Sequence, residues 1–580
     1  MRLSGFAAAV FAMGAAFAAQ AQTIYPLNRA EILSGSKFDF KVEFPGAPAE
    51  ADIKVTVNGK SPAQVLGATA KFIRNEDGLN QSAFWIRDAS IAAPGQYTIE
   101  ATSGGKSAQV RWEVFGTPKG RVARNVILFV GDGMSVAHRT AARIMSKGLV
   151  EGRYGGELAI DDMPHMALVS TSGTDSVVTD SANSMSAYTT GHKSCVNALG
   201  VYCANNARSL DHPKVETLGE LAKRKGKLAV GVVTNTEIED ATPAGMVAHT
   251  RRRADYNDIV GMFYAVKPEV IMGGGSPNFL PKSVNGTKRT DDIDYLKKFQ
   301  EAGYTFVSTA TEMKAAAGAA GTTKLLGLFN TGNIDGALDR RVLKKGTVDR
   351  FPDQPDLPDQ VQTALNVLSK NPNGFVLMVE SGRIDKYSHS MDPERAIFDT
   401  IMLDEAVRVA KTFAAKKNDT LIIVVPDHAH AVSIIGTYDD ALAGTTPREK
   451  LGIYDKSAFP VFPRDGNSPY PSSVDVPRRI ALAFGSYPDH CTDNRPYLDG
   501  EFVPAIPGNE KNVMIANPKN CDRPGAVRIT GNLPASAAQA VHAADDVILT
   551  AMGPGSEAFR GRIDNTRVFR VIATALGFGK

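Results

Sequence analysis

The run FVLMVESGRIDKYSH, Phe375 to His389, decides how this chain is read. Its apolar start has the character of a strand buried on both faces. The strand gives way to a segment that holds Glu380, Asp385, Lys386 and His389. Asp385 and His389 stand four apart, so one helical turn puts both side chains on the same face. Strand ends are where open α/β sheets place their chemistry. Hard carboxylate oxygens suit magnesium, and a mixed Asp/His set suits zinc. Standing alone, the segment reads equally well as a charged, solvated loop.

Two other runs tip the balance. TLIIVV leads into PDHAH and puts Asp427 and His428 at the end of a second apolar strand; RNVILFV leads into GDGMS and puts Asp132 at the end of a third. Gly-Asp-Gly alone is ordinary turn chemistry. Three acidic strand ends are not, because buried charges are kept only when paired or bound to metal.

The chain has 580 residues, too many for one core. Its formal charge of +3 argues for neither nucleic acid nor a membrane surface as partner. Residues 1–21 read as a secretory signal peptide, with Arg2, an apolar stretch and the small-residue site Ala19-Gln20-Ala21. A periplasmic or secreted protein follows from that reading. No later stretch is long enough to span a bilayer. Four cysteines suit export, and the spacing favours local pairs, Cys195 with Cys203 and Cys491 with Cys521.

Residues 23–117 differ from the rest. KFDFKVEF, DIKVTVNGK, SAFWIRDA, GQYTIEAT and AQVRWEVF alternate apolar and polar positions between Gly, Pro and Asn. That period belongs to half-buried antiparallel strands and predicts a small immunoglobulin-like β-sandwich. From 118 to 580, continuous apolar runs alternate with helical stretches such as ERAIFDTIMLDEAVRVAKTFAAK. Interleaving of this kind predicts a mostly parallel sheet with helices on both faces. The Pro-, Gly- and Asp-rich stretch from Tyr438 to Asn532 reads as an excursion between two core strands, placed over the site. KAAAGAAG near Lys314 reads as a loop or surface helix.

A nucleophile is suggested by VVTDSANSMSAYTTG, Val177 to Gly191, where Ser181 follows Asp180 at a helix start. Serine there would lie in the field of the helix N-terminus, although it is also the commonest cap. There is no G-x-S-x-G elbow, so another device must deprotonate the hydroxyl, and a metal ion can do so.

Taken together, NVILFVGDGM, VTDSANSMSAYTTG, EIEDATPAGMVAHTRRR, IMGGGS, ESGRIDKYSH, PDHAH, VHAADDV and GPGSEAFRGRIDNTRVF make the chain from about Val122 onward resemble the alkaline phosphatases, the bacterial branch more than others. The β-rich N-terminal part lies outside the resemblance. The resemblance implies metal-dependent hydrolysis of small phosphate monoesters through a phosphoserine intermediate, with release of inorganic phosphate, and it implies two zinc ions and one magnesium ion per chain. Ser181 would be the phosphorylated nucleophile. One zinc would take Asp385, His389 and His542; the second would take Asp132, Asp427 and His428. Magnesium would take Asp132, Thr242 and Glu380, with Asp240 reaching it through water. Arg253 would clamp the phosphate, and Lys386 would approach it through water while pairing with Asp240. His430 is expected to support a ligand, and His138 and His249 to be structural. The family is commonly dimeric, so a homodimer is implied unless the N-terminal module covers that contact. One departure is Pro426 before Asp427, where the family more often has a small residue; proline removes a backbone donor but no ligand.

Two other readings exist. Related sulfatases use a modified cysteine and related diesterases usually a threonine, whereas Ser181 with Arg253 and Lys386 favours monoesters. An exported binding protein with a dead catalytic domain would account for the N-terminal module, but such a protein should have lost ligands.

Overall fold

A computed structural model describes residues 22–579; the proposed leader, residues 1–21, lies outside the described residues. The chain opens with two four-stranded sheets. One orders Thr23–Tyr25, Phe38–Pro45, Gln81–Ala89 and Lys71–Ile73; the other orders Glu31–Leu33, Lys106–Phe115, Gly95–Ser103 and Ile53–Val57. Phe40, Val42 and Ile86 of the first meet Val57, Ile99 and Trp112 of the second in one apolar core.

The alternation in this region predicts strands with one wet face, and the strand Phe38–Pro45 departs from it. Every residue from Phe38 to Phe44 is buried, including Asp39, Lys41 and Glu43. The polar side of that strand does not meet water because residues 203–214 of the following part of the chain cover it. The Asp39 amide donates to the Lys214 carbonyl (2.7 Å), and the Asn205 amide donates to Glu43 (2.9 Å).

Beyond residue 120 a ten-stranded sheet forms the spine. Its order is Thr305–Val307, Leu325–Leu328, Val270–Gly274, Ala229–Glu237, Phe375–Ser381, Asn125–Gly131, Thr420–Val425, Val547–Met552, His165–Ser170 and Arg560–Asp564. All run the same way except Val547–Met552, which lies antiparallel to both of its neighbours. The apolar runs that mark the strands are explained by burial on both sides. Val126, Leu128, Val376, Met378, Leu421 and Ile423 enter the core on one face. Ile127, Phe129, Leu377, Val379, Ile422 and Val424 enter the core on the other. The long helix Pro393–Ala414 covers this second face and the helix Ser181–Thr190 covers the first.

The excursion after Thr420–Val425 is built of short strands, including Val432–Asp439 against Arg478–Phe484 and His490–Thr492 against Val527–Ile529. The disulfide Cys491–Cys521 ties it, and Cys195–Cys203 closes a tight loop elsewhere, so both local pairs form. KAAAGAAG contributes the end of the helix Ala310–Gly318. Among the described residues no helix is long and apolar enough to cross a membrane.

Candidate metal centre

The four strands at the middle of the sheet are Ala229–Glu237, Phe375–Ser381, Asn125–Gly131 and Thr420–Val425, neighbours in that order. Their carboxyl ends open onto one place. The first leads to Asp240 and Thr242. The second carries Glu380 and feeds the helix Arg383–His389, which holds Asp385, Lys386 and His389. The third ends at Asp132 and the fourth at Asp427 and His428. His542 arrives from far along the chain on a two-residue strand, His542–Ala543, whose ladder sets it opposite His430.

Around Asp385 the imidazoles converge. Its Oδ1 lies 2.7 Å from His430 Nε2, 3.3 Å from His389 Nε2 and 3.4 Å from His542 Nε2. His389 Nδ1 meets the Ala540 carbonyl (2.7 Å) and His542 Nδ1 meets the Thr179 carbonyl (2.9 Å). A carbonyl only accepts, so both Nδ1 atoms carry a proton, and an Nε2 without one turns its lone pair inward. Those two Nε2 atoms are 3.0 Å apart. Two lone pairs cannot bond each other, so the contact needs either a proton on one Nε2 or a metal cation held by both.

A second group lies alongside. His428 Nε2 is 3.2 Å from Asp132 Oδ1 and 3.4 Å from Asp427 Oδ2. Asp132 Oδ1, Asp427 Oδ2 and Thr242 Oγ1 are buried without a hydrogen-bond partner. Glu380 is better served, since Thr234 and Thr236 both donate to its Oε2, the latter at 2.9 Å. Burial pushes Asp132 well above the usual carboxylate range, and the neighbouring Asp427, Asp385 and Glu380 push it further. Burial likewise pushes Glu380 up to about 7. Carboxylates packed this closely cannot all stay anionic unless positive charge joins them. The donor set, oxygen-rich with inward imidazoles, fits divalent cations.

Ser181 is the first residue of its helix. Asp180 caps that helix by accepting from the Asn183 amide, and every residue from Ser181 to Thr190 is buried. The Ser181 Oγ stands 3.3 Å from His428 Nε2, at the edge of the second group. The helix is locked to the strand end by Tyr188, whose Oη donates to the Pro426 carbonyl (2.6 Å), and by Ser184, which donates to the Asp427 carbonyl. Pro426 therefore keeps a use for the one backbone group it retains.

Two cations of the chain face the same place. Arg253 donates through Nη1 to Asp180 (3.2 Å) and through Nη2 to Asp240 (2.7 Å), leaving three of its five N–H groups uncommitted. Lys386 Nζ sits 3.0 Å from the other oxygen of Asp240. Burial works against the Lys386 charge, but Asp240 and Asp385 outweigh it and hold its pKa above the ordinary value. Burial also works against the Asp240 charge, and Lys386 and Arg253 hold that carboxyl well below its usual range.

The residues named from sequence thus come together: Ser181, the two Asp/His groups, Asp240, Arg253 and Lys386. Asp385, His428, His430 and His542 can bring one ligand atom each mutually close, and His389 Nε2 lies nearer to Asp385 Oδ1 (3.3 Å) than His428 Nε2 does (3.9 Å). His138 braces the site from below, its Nε2 2.9 Å from Ser388 Oγ. Sequence reasoning passed over Asp180 as a partner of Arg253, and over Thr234 and Thr236 as donors to Glu380. The pair in TNTE sits at a strand end beside the acidic strand, which was the one available signal.

Comparison with known proteins gives the family. Residues 123–578 match the alkaline phosphatase family model. The alkaline phosphatase of Escherichia coli (strain K12) is 34% identical over 382 residues, which is 60% of this chain and 77% of that protein. The tissue-nonspecific alkaline phosphatase of Rattus norvegicus is 29% identical over 497 residues, 79% of this chain and 84% of that one. The solved alkaline phosphatase of Thermus thermophilus superposes with a TM-score of 0.55 at 26% identity, covering 80% of this chain and 93% of that one. The chain belongs to the alkaline phosphatase family, metal-binding enzymes that hydrolyse phosphate monoesters.

Proposed function

We propose that this enzyme transfers the phosphoryl group of a small monoester to Ser181 and then to water, in a site holding two zinc ions and one magnesium ion. Asp385, His389 and His542 would hold one zinc, and Asp132, Asp427 and His428 the other. Asp132, Thr242 and Glu380 would hold magnesium, with Asp240 beyond them. When bound, such cations neutralise phosphate charge and favour the deprotonated forms of serine and water. The observation that carries the reading is the set of buried, unpartnered atoms beside the Ser181 hydroxyl: Asp132 Oδ1, Asp427 Oδ2 and Thr242 Oγ1.

The chain's own groups do the rest. Ser181 begins a helix, so an anion on its oxygen lies in the favourable field of the N-terminus. Asp180 and Asp240 fix the guanidinium plane of Arg253, so its free N–H groups meet two phosphate oxygens without a search for geometry. Lys386 adds positive charge on the Asp240 side. A monoester dianion suits this excess of cations better than a diester monoanion does.

Residues 23–117 read best as an immunoglobulin-like module and 118–580 as the catalytic domain, supported by an apolar core made of module residues alone, from Ile24 to Val114, although Leu33 and Phe115 pack into the catalytic part. Export to a periplasmic or external space is supported by the two disulfides. The test is chemical. Wild type quenched in acid with phosphate should yield a phosphorylated peptide containing Ser181. Ser181→Ala should keep its zinc and magnesium yet lose turnover of p-nitrophenyl phosphate by roughly a thousandfold or more. Phosphate trapped on another residue, or an active Ser181→Ala enzyme, would overturn the proposal.

A further inference from the structure

The N-terminal sheets do not merely precede the enzyme; they grip one strap of it. The strap runs from Cys195 to Glu216 and begins with a loop closed by the disulfide Cys195–Cys203. On one side it lies against the strand Phe38–Pro45. Phe38 bridges Val215, and the Lys214 amide donates to Asp39 (3.0 Å). Lys41 Nζ donates to Asn206 Oδ1 (2.7 Å), and Asn205 and Gln81 exchange two bonds, Nδ2 to Oε1 at 2.7 Å and Nε2 to the Asn205 carbonyl at 2.8 Å. Tyr25 Oη donates to the Cys203 carbonyl (3.2 Å).

On its other side the same strap holds the arginine segment. Leu199 and Thr250 exchange backbone bonds at 2.8 and 2.9 Å, and the Arg253 amide donates to the Asn197 carbonyl (2.8 Å). The Asn197 amide donates to Asp180 Oδ1 (3.2 Å), the carboxylate whose other oxygen takes the Arg253 guanidinium. Arg251 is held as well, its amide by the Ser209 carbonyl and its Nη1 by the Val196 carbonyl. The fit has no slack at Gly200, where φ is +58° and a Cβ would meet the Ala248 carbonyl oxygen at 2.3 Å.

We infer that the N-terminal module is a positioning element for catalysis: through Asn205 and Asn206 it clamps the strap whose Asn197 fixes both Arg253 and its partner Asp180. No residue of the module touches phosphate. The strap has its own disulfide but lies between two bodies, and hydrogen bonds from both bodies leave it one position. This inference rests on reading Arg253 as the phosphate clamp, and the experiment separates the two.

In the full-length holoenzyme, the double variant Asn205→Ala/Asn206→Ala removes the side-chain bonds to Lys41 and Gln81 from residues that are exposed or half-buried. We expect the inhibition constant for inorganic phosphate to rise about five- to tenfold, and kcat/KM to fall in parallel, since small displacements of a positioned group cost this much or more. Zinc content should stay at the wild-type value, and circular dichroism should show an unchanged fold even where the melting temperature drops for want of the Lys41 acceptor. Gln81→Ala, which cuts the same seam from the module side, should shift phosphate affinity the same way. Asn206→Asp, which keeps an acceptor for Lys41, should keep wild-type phosphate affinity, and Gln109→Ala, at an exposed position away from the seam, should change nothing. In an Arg253→Ala background the double variant should add no further weakening. A folded double variant with wild-type phosphate affinity overturns the inference, and so does an equal weakening in the Arg253→Ala background. If Arg253→Ala itself leaves phosphate affinity intact, the underlying role of Arg253 is what fails.

Discussion

The molecule buries two clusters of charge, and they are built on opposite plans. In the N-terminal module, Lys41 is wholly buried between Glu43 (2.7 Å) and Glu76 (2.8 Å). Trp85 Nε1 donates to Glu76, the Asn205 amide donates to Glu43, and Asn206 accepts from Lys41. The charges there are met by the chain itself. At the strand ends of the catalytic part, acidic oxygens and imidazole nitrogens face inward and several have no partner at all. The closed cluster holds two parts of the chain together, and the open one is a socket. Burial alone does not mark a functional site; burial with an unmet charge does.

The contrast can be broken at several points. The largest effect is expected from Asp427→Asn, which should lower turnover by a factor on the order of a thousand or more, because the proposed assignment makes Asp427 a ligand to a catalytic cation. The same change should raise the stability of the metal-free protein by about 1 kcal/mol, since a neutral amide replaces a buried carboxylate with no counter-charge. A denaturant titration after chelation reads the second effect, and a drop in apo stability would mean that the open cluster is already balanced.

Removing metal from the wild type should abolish activity and cost roughly 4 kcal/mol of stability if free metal normally exceeds its dissociation constant a thousandfold. Zinc with magnesium should restore both, and a melting temperature indifferent to the chelator would contradict the socket picture. The closed cluster should behave the other way. Lys41→Met should cost about 3–5 kcal/mol whether or not metal is present, because it strands Glu43 and Glu76 in the interior. Equal losses on replacing a socket carboxylate in the metal-free protein would erase the distinction.

The smallest expected effect lies at His249, which donates no ligand and sits 3.0 Å from Glu220. Burial opposes its charge, but Glu220 outweighs burial and raises its pKa above 6.5. Burial opposes the Glu220 charge as well, and His249 draws that carboxyl below 4.5. The raised histidine stabilises fully below pH 6.5 and less as pH climbs through its folded pKa. The lowered carboxylate stabilises above pH 4.5 and less as pH falls through its own. His249→Gln should therefore cost on the order of 1 kcal/mol between about pH 4.5 and 6.5, with the gap narrowing on the alkaline side. A pH-independent gap in denaturation midpoint would show that packing, not charge, is what the histidine supplies.

Much of this molecule could be read without coordinates because its sheet is buried on both faces. FVLMV, TLIIVV and NVILFV are uninterrupted for the reason that alternate residues enter two different cores. Acidic residues directly after such runs mark strand ends by position alone. His542 was different. Its own surroundings, AVHAADD, say nothing, and only the family resemblance drew attention to it. The role of Asp180 was likewise hidden, because a cap and an arginine partner look the same in one dimension. The alternating strand KFDFKVEF misled on burial, since a pattern reports that two faces differ in polarity and not that the polar one is wet.

The order of the residues was enough to give the α/β class of the larger part, the family, and the residue types that the strand ends bring together. These depend on local periodicity and on side chains adjacent to strand ends, and both are written in consecutive positions. Tertiary structure alone decided which imidazoles oppose one another, which carboxylate oxygens go unpartnered, and that Asn197 ties Arg253 to a strap gripped by the N-terminal sheets. Those facts are distances between segments tens to hundreds of residues apart, set by how the sheet, the excursion and the module pack, and no local pattern carries them.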